Sequence, residues 1–254
     1  MKSLFLILVL PLQAQFITPE WRDEGEGEHA QWDIFTEAKF EPNSPDVVSD
    51  DATITCTTSS AFITSSGNIY SFQSATAFQL NDSAAFPIQN VFLQISALGS
   101  EIDLEEVRLV TTDATGDTRV IAASQSFVIS QDELGGERGG LGTTYALQWN
   151  LSEAPISTSY SILFESVESS LSLDQVSLDT SATFIPVTKP KPLELVPNGD
   201  ELTLSWFGSW QLQSSTSLQG DWLDVPDTAG LNVVTLPMSN DTTFFRLKQL
   251  DVTP

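Results

Sequence analysis

Tyr145-Ala146-Leu147-Gln148-Trp149-Asn150-Leu151 decides the fold class. Its large apolar side chains fall on every second residue. A β-strand sends alternate side chains to opposite faces, so the stretch reads as a strand with one buried face. The same period returns in Val91-Leu93-Ile95-Ala97, Val107-Leu109, Val120-Ala122 and Tyr160-Ile162-Phe164, with mostly polar residues between. Gly, Asn, Asp, Ser and Pro punctuate these runs, and Asp113-Ala114-Thr115-Gly116-Asp117 reads as a hairpin turn. The period of an amphipathic helix is nearly absent. Short strands at even spacing, roughly ten residues apart, predict an all-β sandwich or barrel.

Working outward, Pro186-Val187-Thr188-Lys189-Pro190-Lys191-Pro192 interrupts the pattern. Alternating prolines favour an extended, semi-rigid spacer, which sets the domain boundary at 186–192. Strand patterning resumes in Leu202-Leu204-Trp206, Trp210-Leu212, Val233-Thr235 and Phe244-Phe245-Arg246-Leu247. The glycine-rich stretch 135–142 reads as a mobile connection, because a phosphate-cradling loop needs a Lys-Ser/Thr pair and a following helix. At the other end, Lys2, the apolar run Leu4 to Leu10 and Leu12-Gln13-Ala14 have the order of a secretory signal sequence. The run is far short of the ~20 residues that a spanning helix needs. The expected organisation is a signal peptide over 1–14, a β-sandwich over 15–185, the Pro/Lys linker over 186–192, and a small β-domain over 193–254. Cleavage leaves a soluble chain outside the cytoplasm, whether periplasmic, extracellular or on the cell surface.

Charge excludes more than it assigns. The 34 Asp and Glu against 10 Lys and Arg give −24, which repels nucleic acid and anionic lipid. At 41% hydrophobic residues the chain can still build a core, so its acidity does not mean disorder. With a single cysteine no intrachain disulfide forms. Alternation in Thr53-Ile54-Thr55-Cys56 puts Cys56 beside Ile54 on the buried face.

Two resemblances bear on the modules. Trp206, Trp210-Gln211-Leu212-Gln213-Ser214-Ser215, Leu218, Gly220-Asp221-Trp222 and Phe244-Phe245-Arg246-Leu247 resemble a small module at the C-termini of large secreted planctomycete and verrucomicrobial proteins. The resemblance covers about 55 residues and implies a fibronectin-III-like or immunoglobulin-like accessory domain without chemistry of its own. In it Trp206, Leu212, Trp222 and Phe244 or Phe245 form the core, and Trp210 is the expected exposed exception. Trp21-Arg22, Trp32-Asp33-Ile34-Phe35 and Ser66-Gly67-Asn68-Ile69-Tyr70-Ser71 resemble elements of secreted β-sandwich proteins from the same bacteria. Leu171-Ser172-Leu173-Asp174-Gln175-Val176-Ser177-Leu178 resembles the last strand of jelly-roll carbohydrate-binding modules. That likeness implies a jelly-roll sandwich in which Asp174 helps hold a structural calcium, with Asp23, Glu24, Glu26 or Glu28 as the sharing carboxylate.

Catalytic chemistry finds little to stand on. His29 is the one histidine, and with one Cys it cannot complete a usual zinc site. No Gly-x-Ser-x-Gly elbow accompanies it. Glu105-Glu106 and Asp132-Glu133 are sequence neighbours, which in a strand point apart instead of converging on a substrate. Asp113 and Asp117 flank a turn but lack an EF-hand spacing. The expectation is therefore a non-catalytic binding or surface-architecture protein, with no catalytic residues, carbohydrate as the leading ligand class and polysaccharide or other envelope proteins as partners. The alternatives are a purely structural adhesion or matrix protein and a carboxylate-dependent glycan-active enzyme. Exposure of Trp21, Trp32, Tyr70 and Trp210 separates the first two, since a binding module exposes a patch of aromatics and a structural one buries them.

Overall fold

The computed structural model describes residues 16–23, 27–47, 51–112, 116–134, 140–154, 157–189, 193–206, 210–217, 221–229, 231, 233–237 and 243–249. The expected signal sequence, Glu24, Glu26, Asp113, residues 135–139 of the glycine-rich stretch and residues 190–192 lie outside them. Chain contacts divide the protein into two compact units, with the change falling between Thr188 and Lys189.

The larger unit has one helical turn, α1 (Glu20–Asp23), and among its described residues every other regular element is a strand. These are β1 (Gly27–Trp32), β2 (Thr53–Cys56), β3 (Phe62–Ile63), β4 (Ile69–Ser71), β5 (Ala77–Ser83), β6 (Asn90–Gly99), β7 (Arg108–Thr112), β8 (Thr118–Ala122), β9 (Gln125–Glu133), β10 (Leu141–Asn150), β11 (Ser159–Glu165) and β12 (Leu171–Ser181). The front sheet runs β3-β4-β12-β6-β10-β9, with β1 also pairing β12, and the back sheet runs β2-β5-β11-β7-β8. All pairings are antiparallel, so the protein is an all-β sandwich. A strand follows the glycine-rich stretch, since β9 and β10 pair across it.

Alternation builds the core as the sequence predicts. Val91, Leu93, Ile95 and Leu147 point inward from the front sheet, and Leu80, Leu109, Ile162 and Phe164 meet them from the back. Each such side chain removed from water contributes about 1.5–3 kcal/mol. Trp32 and Trp149 are wholly buried, and their indole N–H groups donate to the carbonyls of Asn43 (3.0 Å) and Ile121 (3.1 Å), which removes the penalty of an orphaned donor. Cys56 lies beside Ile54 in this core, and burial pushes its thiol pKa up, so it behaves as a small hydrophobe. At one end of the back sheet Tyr160 faces Asp82 across the β11–β5 pair, and its buried phenol donates to Asp82 Oδ2 at 2.8 Å.

The front sheet's other face is also covered. Trp21 packs edge-to-face on Phe92, with ring centroids 6.3 Å apart, and Ala146 and Val187 complete a second apolar cluster. Two buried glutamines fasten chain segments to this face. Gln94 accepts from Ile17 N (2.6 Å) and donates to Ile17 O (2.9 Å), as a neighbouring strand would. Gln148 does the same for the outgoing segment, accepting from Val187 N (2.9 Å) and donating to Ile185 O (2.7 Å).

The smaller unit consists of β13 (Glu194–Asn198), β14 (Glu201–Ser205), β15 (Trp210–Ser215), β16 (Leu223–Asp224), β17 (Val233–Pro237) and β18 (Phe244–Gln249). They form two three-stranded antiparallel sheets, β13-β14-β17 and β16-β15-β18. Leu202, Leu204, Trp206, Leu212, Val225 and Phe245 fill the space between them. One expectation changes here. Trp210 is half-buried and packs against this core, whereas Trp222 is outside the cluster and lies beneath the Arg246 guanidinium, 4.4 Å from the ring centroid. A cation over an electron-rich ring holds a partly exposed tryptophan in place without burying it.

Candidate functional site

The β3–β4 hairpin carries the one group of touching aromatic rings that is open to solvent among the described residues. Its turn is Thr64-Ser65-Ser66-Gly67, closed by Thr64 N donating to Asn68 O (2.9 Å) and Gly67 N donating to Thr64 O (3.1 Å). Gly67 has φ +87°, a left-handed conformation that suits glycine. The turn sets Phe62 opposite Tyr70 and Ile63 opposite Ile69. Ile63 and Ile69 pack into the core, so Phe62 and Tyr70 face outward, and Phe72 follows two residues on. Phe62 is 40% exposed and Phe72 57%. Tyr70 and Phe72 lie 6.3 Å apart with planes tilted by 35°, giving two ring faces in a common sense. Phe62 stands across both, at 82° to Tyr70 and 68° to Phe72. The result is a short platform with one upright ring at its side.

Polar side chains border this platform. Outward-facing positions of β4 continue to Asn68, which is almost wholly buried. Asn68 Nδ2 donates to Ser172 Oγ (3.2 Å) and to Asp174 Oδ1 (3.0 Å), and Ser96 Oγ donates to Asp174 Oδ2 (3.1 Å). Ser172 pairs directly with Tyr70. Asp174 faces outward by the same alternation that turns Leu171 and Leu173 inward, and a β-bulge begins at it. The β12–β6 register slips between Leu173 and Gln175, so Leu173 and Val176 both point inward while Asp174 and Gln175 between them do not. A bulge of this kind re-aims a side chain, and such irregularities recur beside functional sites. Gln175 Nε2 donates to Asp33 Oδ1 at 2.9 Å, which extends the polar border toward β1.

Asp174 therefore sits among neutral donors. Of the carboxylates expected beside it, Glu28 pairs with Thr180 on β1–β12, and Glu28 Oε1 accepts from Ala85 N at 3.3 Å. Six strand positions separate Thr180 from Asp174, or roughly 20 Å. No set of three His, Cys, Asp or Glu side chains gathers into a metal-holding group among the described residues.

The remaining candidates are dispersed. His29 faces Asp179 across β1–β12, with Nδ1 3.1 Å from Leu178 O and 3.3 Å from Asp179 Oδ1. Asp179 is fully buried and takes both Arg22 Nε and Arg22 Nη2 at 2.6 Å, a bidentate pair that joins α1 to β12. Glu105 and Glu106 lie exposed in a turn, with Glu106 3.4 Å from Arg108. Asp132 and Glu133 are consecutive on β9. A shallow hollow of about 410 Å³ opens on the back sheet, lined by Asp51, Asn81, Ser83, Thr112 and Ser161 beside the Asp82–Tyr160 pair. It offers hydroxyls, the Asn81 amide and the Asp51 carboxylate beside Asp82, and its one ring among the described residues is the buried Tyr160.

Of the four aromatics proposed as discriminators, Trp21 and Trp32 are buried, Trp210 is half-buried against its core, and Tyr70 belongs to the platform. Phe62 and Phe72 were not legible as partners of Tyr70, because their association depends on hairpin pairing across the turn. The bulge did leave a signal, since the apolar residues Leu171, Leu173, Val176 and Leu178 step by two, three and two. No protein-family model matches this chain, and no curated protein matches it.

Proposed function

We propose that this is a non-catalytic, exported glycan-binding protein whose larger module holds a neutral saccharide on the Tyr70–Phe72 platform. The observation that carries this reading is the ring cluster of exposed Phe62 and Phe72 with half-buried Tyr70, beside a half-buried Ser172 that the buried Asn68 orients. A sugar ring presents an apolar C–H face and a polar rim of hydroxyls. Aromatic faces suit the first, and amide and hydroxyl groups suit the second. Exposed aromatic patches on a folded domain mark interaction sites more often than chance burial failures. Strand order supports the jelly-roll form of the sandwich: β1-β12-β6-β10 faces β5-β11-β7-β8, with the first strand beside the last. Under this reading the smaller unit is an accessory module, and the strongly acidic surface serves solubility outside the cell while tolerating an uncharged ligand.

The test is affinity electrophoresis and calorimetry against a panel of neutral polysaccharides, with wild type, Tyr70→Ala and Phe72→Ala. Binding to at least one glycan, weakened about tenfold or more by either substitution at unchanged melting temperature, is the expected result. An absence of binding across the panel would leave the purely structural reading as the better one.

A further inference from the structure

The carboxylate at the bulge has a consequence for which glycans the platform accepts. Asp174 is hydrogen-bonded to Asn68 and lies two residues along from Ser172, the partner of Tyr70, so strand geometry puts its Cβ roughly 7–8 Å from that of Tyr70. Both of its oxygens are oriented, one by Asn68 Nδ2 and the other by Ser96 Oγ. Both donors are uncharged, so the negative charge is held in place without being neutralised. Alternation from Leu171 and Leu173 puts Asp174 on the outward face with Ser172, and the bulge there turns the next residue, Gln175, away from the core as well.

We infer that Asp174 is a specificity-determining residue that excludes anionic sugars, restricting the platform to neutral glycans. The inference rests on the glycan-binding reading of the Tyr70–Phe72 platform. A uronate carboxylate or sulfate ester stacked on these rings would stand within about a Debye length of Asp174, where like charges at the edge of a protein surface repel appreciably. A neutral hydroxyl at the same place meets acceptors instead. The net charge of −24 adds a diffuse repulsion of the same sign, whereas the Asp174 contribution is local and removable by one substitution.

The experiment compares neutral hexasaccharides (of glucose, xylose and mannose) with oligogalacturonate and oligoalginate of equal length, using wild type, Asp174→Asn and Tyr70→Ala. Asn keeps the shape and an acceptor oxygen for Asn68 while removing the charge. Wild type is expected to bind a neutral oligosaccharide and to bind uronates at least tenfold more weakly. Asp174→Asn should keep neutral binding within about threefold and raise relative uronate affinity about tenfold. Asp174→Ser, which also removes the charge, keeps the inference testable if Asp174→Asn folds poorly. Raising salt from 20 mM to 500 mM should narrow the discrimination more in wild type than in either variant, because only the diffuse repulsion remains in them. Equal affinity for both classes in wild type, an unchanged ratio in Asp174→Asn, or calcium-dependent uronate binding that requires Asp174 would each overturn the inference while leaving the platform standing. If no oligosaccharide of either class binds, the platform reading falls and this inference falls with it.

Discussion

On the back sheet of the larger unit, outward residues such as Thr53, Thr55, Gln79 and Ser161 are only half-buried; on the front sheet, outward Gln94, Gln148, Ser177 and Asp179 are buried completely. Both faces follow the same two-residue alternation, and both are polar. They differ in what lies on top. Segments carrying Ile17, Trp21, Arg22, Ile185 and Val187 cover the front sheet and form a third layer, whereas among the described residues the back-sheet positions carry no such cover. A polar outward residue can thus be structural, provided its groups find partners, as those of Gln94, Gln148 and Asp179 do. It also isolates the platform: where the front sheet reaches the β3–β4 hairpin, rings are exposed instead of buried.

The sharpest way to break the comparison is to remove Arg22. Arg22→Met leaves Asp179 buried without its charge partner, and urea denaturation should record a loss of about 3–5 kcal/mol. The double variant Arg22→Met, Asp179→Leu should recover most of that, because no uncompensated charge remains. Next comes Gln148→Leu, which strands Val187 N, Ile185 O and the Asn90 amide oxygen that Gln148 Nε2 contacts at 2.8 Å. A loss of about 2–3 kcal/mol is expected in the same assay.

Tyr160→Phe tests the buried Tyr160–Asp82 pair of the back sheet and should cost about 1–2 kcal/mol near neutral pH. Burial, followed by the neighbouring Asp82, holds the Tyr160 phenol well above its ordinary value. The folded state thus keeps a proton that the unfolded chain gives up near pH ~10. Stability from this group is complete below that pH and is lost as pH rises further, so wild type should lose stability steeply in alkali while Tyr160→Phe loses less. The smallest effect belongs to the uncovered face. Thr112→Ala, at an exposed position, should change stability by no more than about 0.5 kcal/mol.

Much of the fold was legible because alternation is a local property. Val91 to Ala97, Tyr145 to Trp149 and Tyr160 to Phe164 each state their buried face within a few residues, and Cys56 could be placed beside Ile54 the same way. The third layer was not legible. Residues 16–23 and 185–187 have no period, and only tertiary contacts with Gln94, Gln148 and Asp179 explain why Trp21 is buried. Of the site, Asn68, Tyr70 and Asp174 stood out in the sequence, although for different reasons and without any sign that they share a face. Their association requires the pairing of β4 with β12, a contact spanning about a hundred residues of chain. Trp222 shows the same limit in the smaller unit, since it precedes β16 and its Arg246 partner comes from β18.

The central claim is that the platform, and no other face of the larger unit, receives a neutral glycan. Amide chemical-shift mapping during titration with a neutral hexasaccharide tests it most directly. The account predicts shifts clustered at Phe62, Asn68, Tyr70, Phe72 and Ser172, including the Asn68 side-chain amide, with the back sheet silent. Shifts centred on Asn81, Thr112 and Ser161 in the back-sheet hollow, with the platform unmoved, would contradict it.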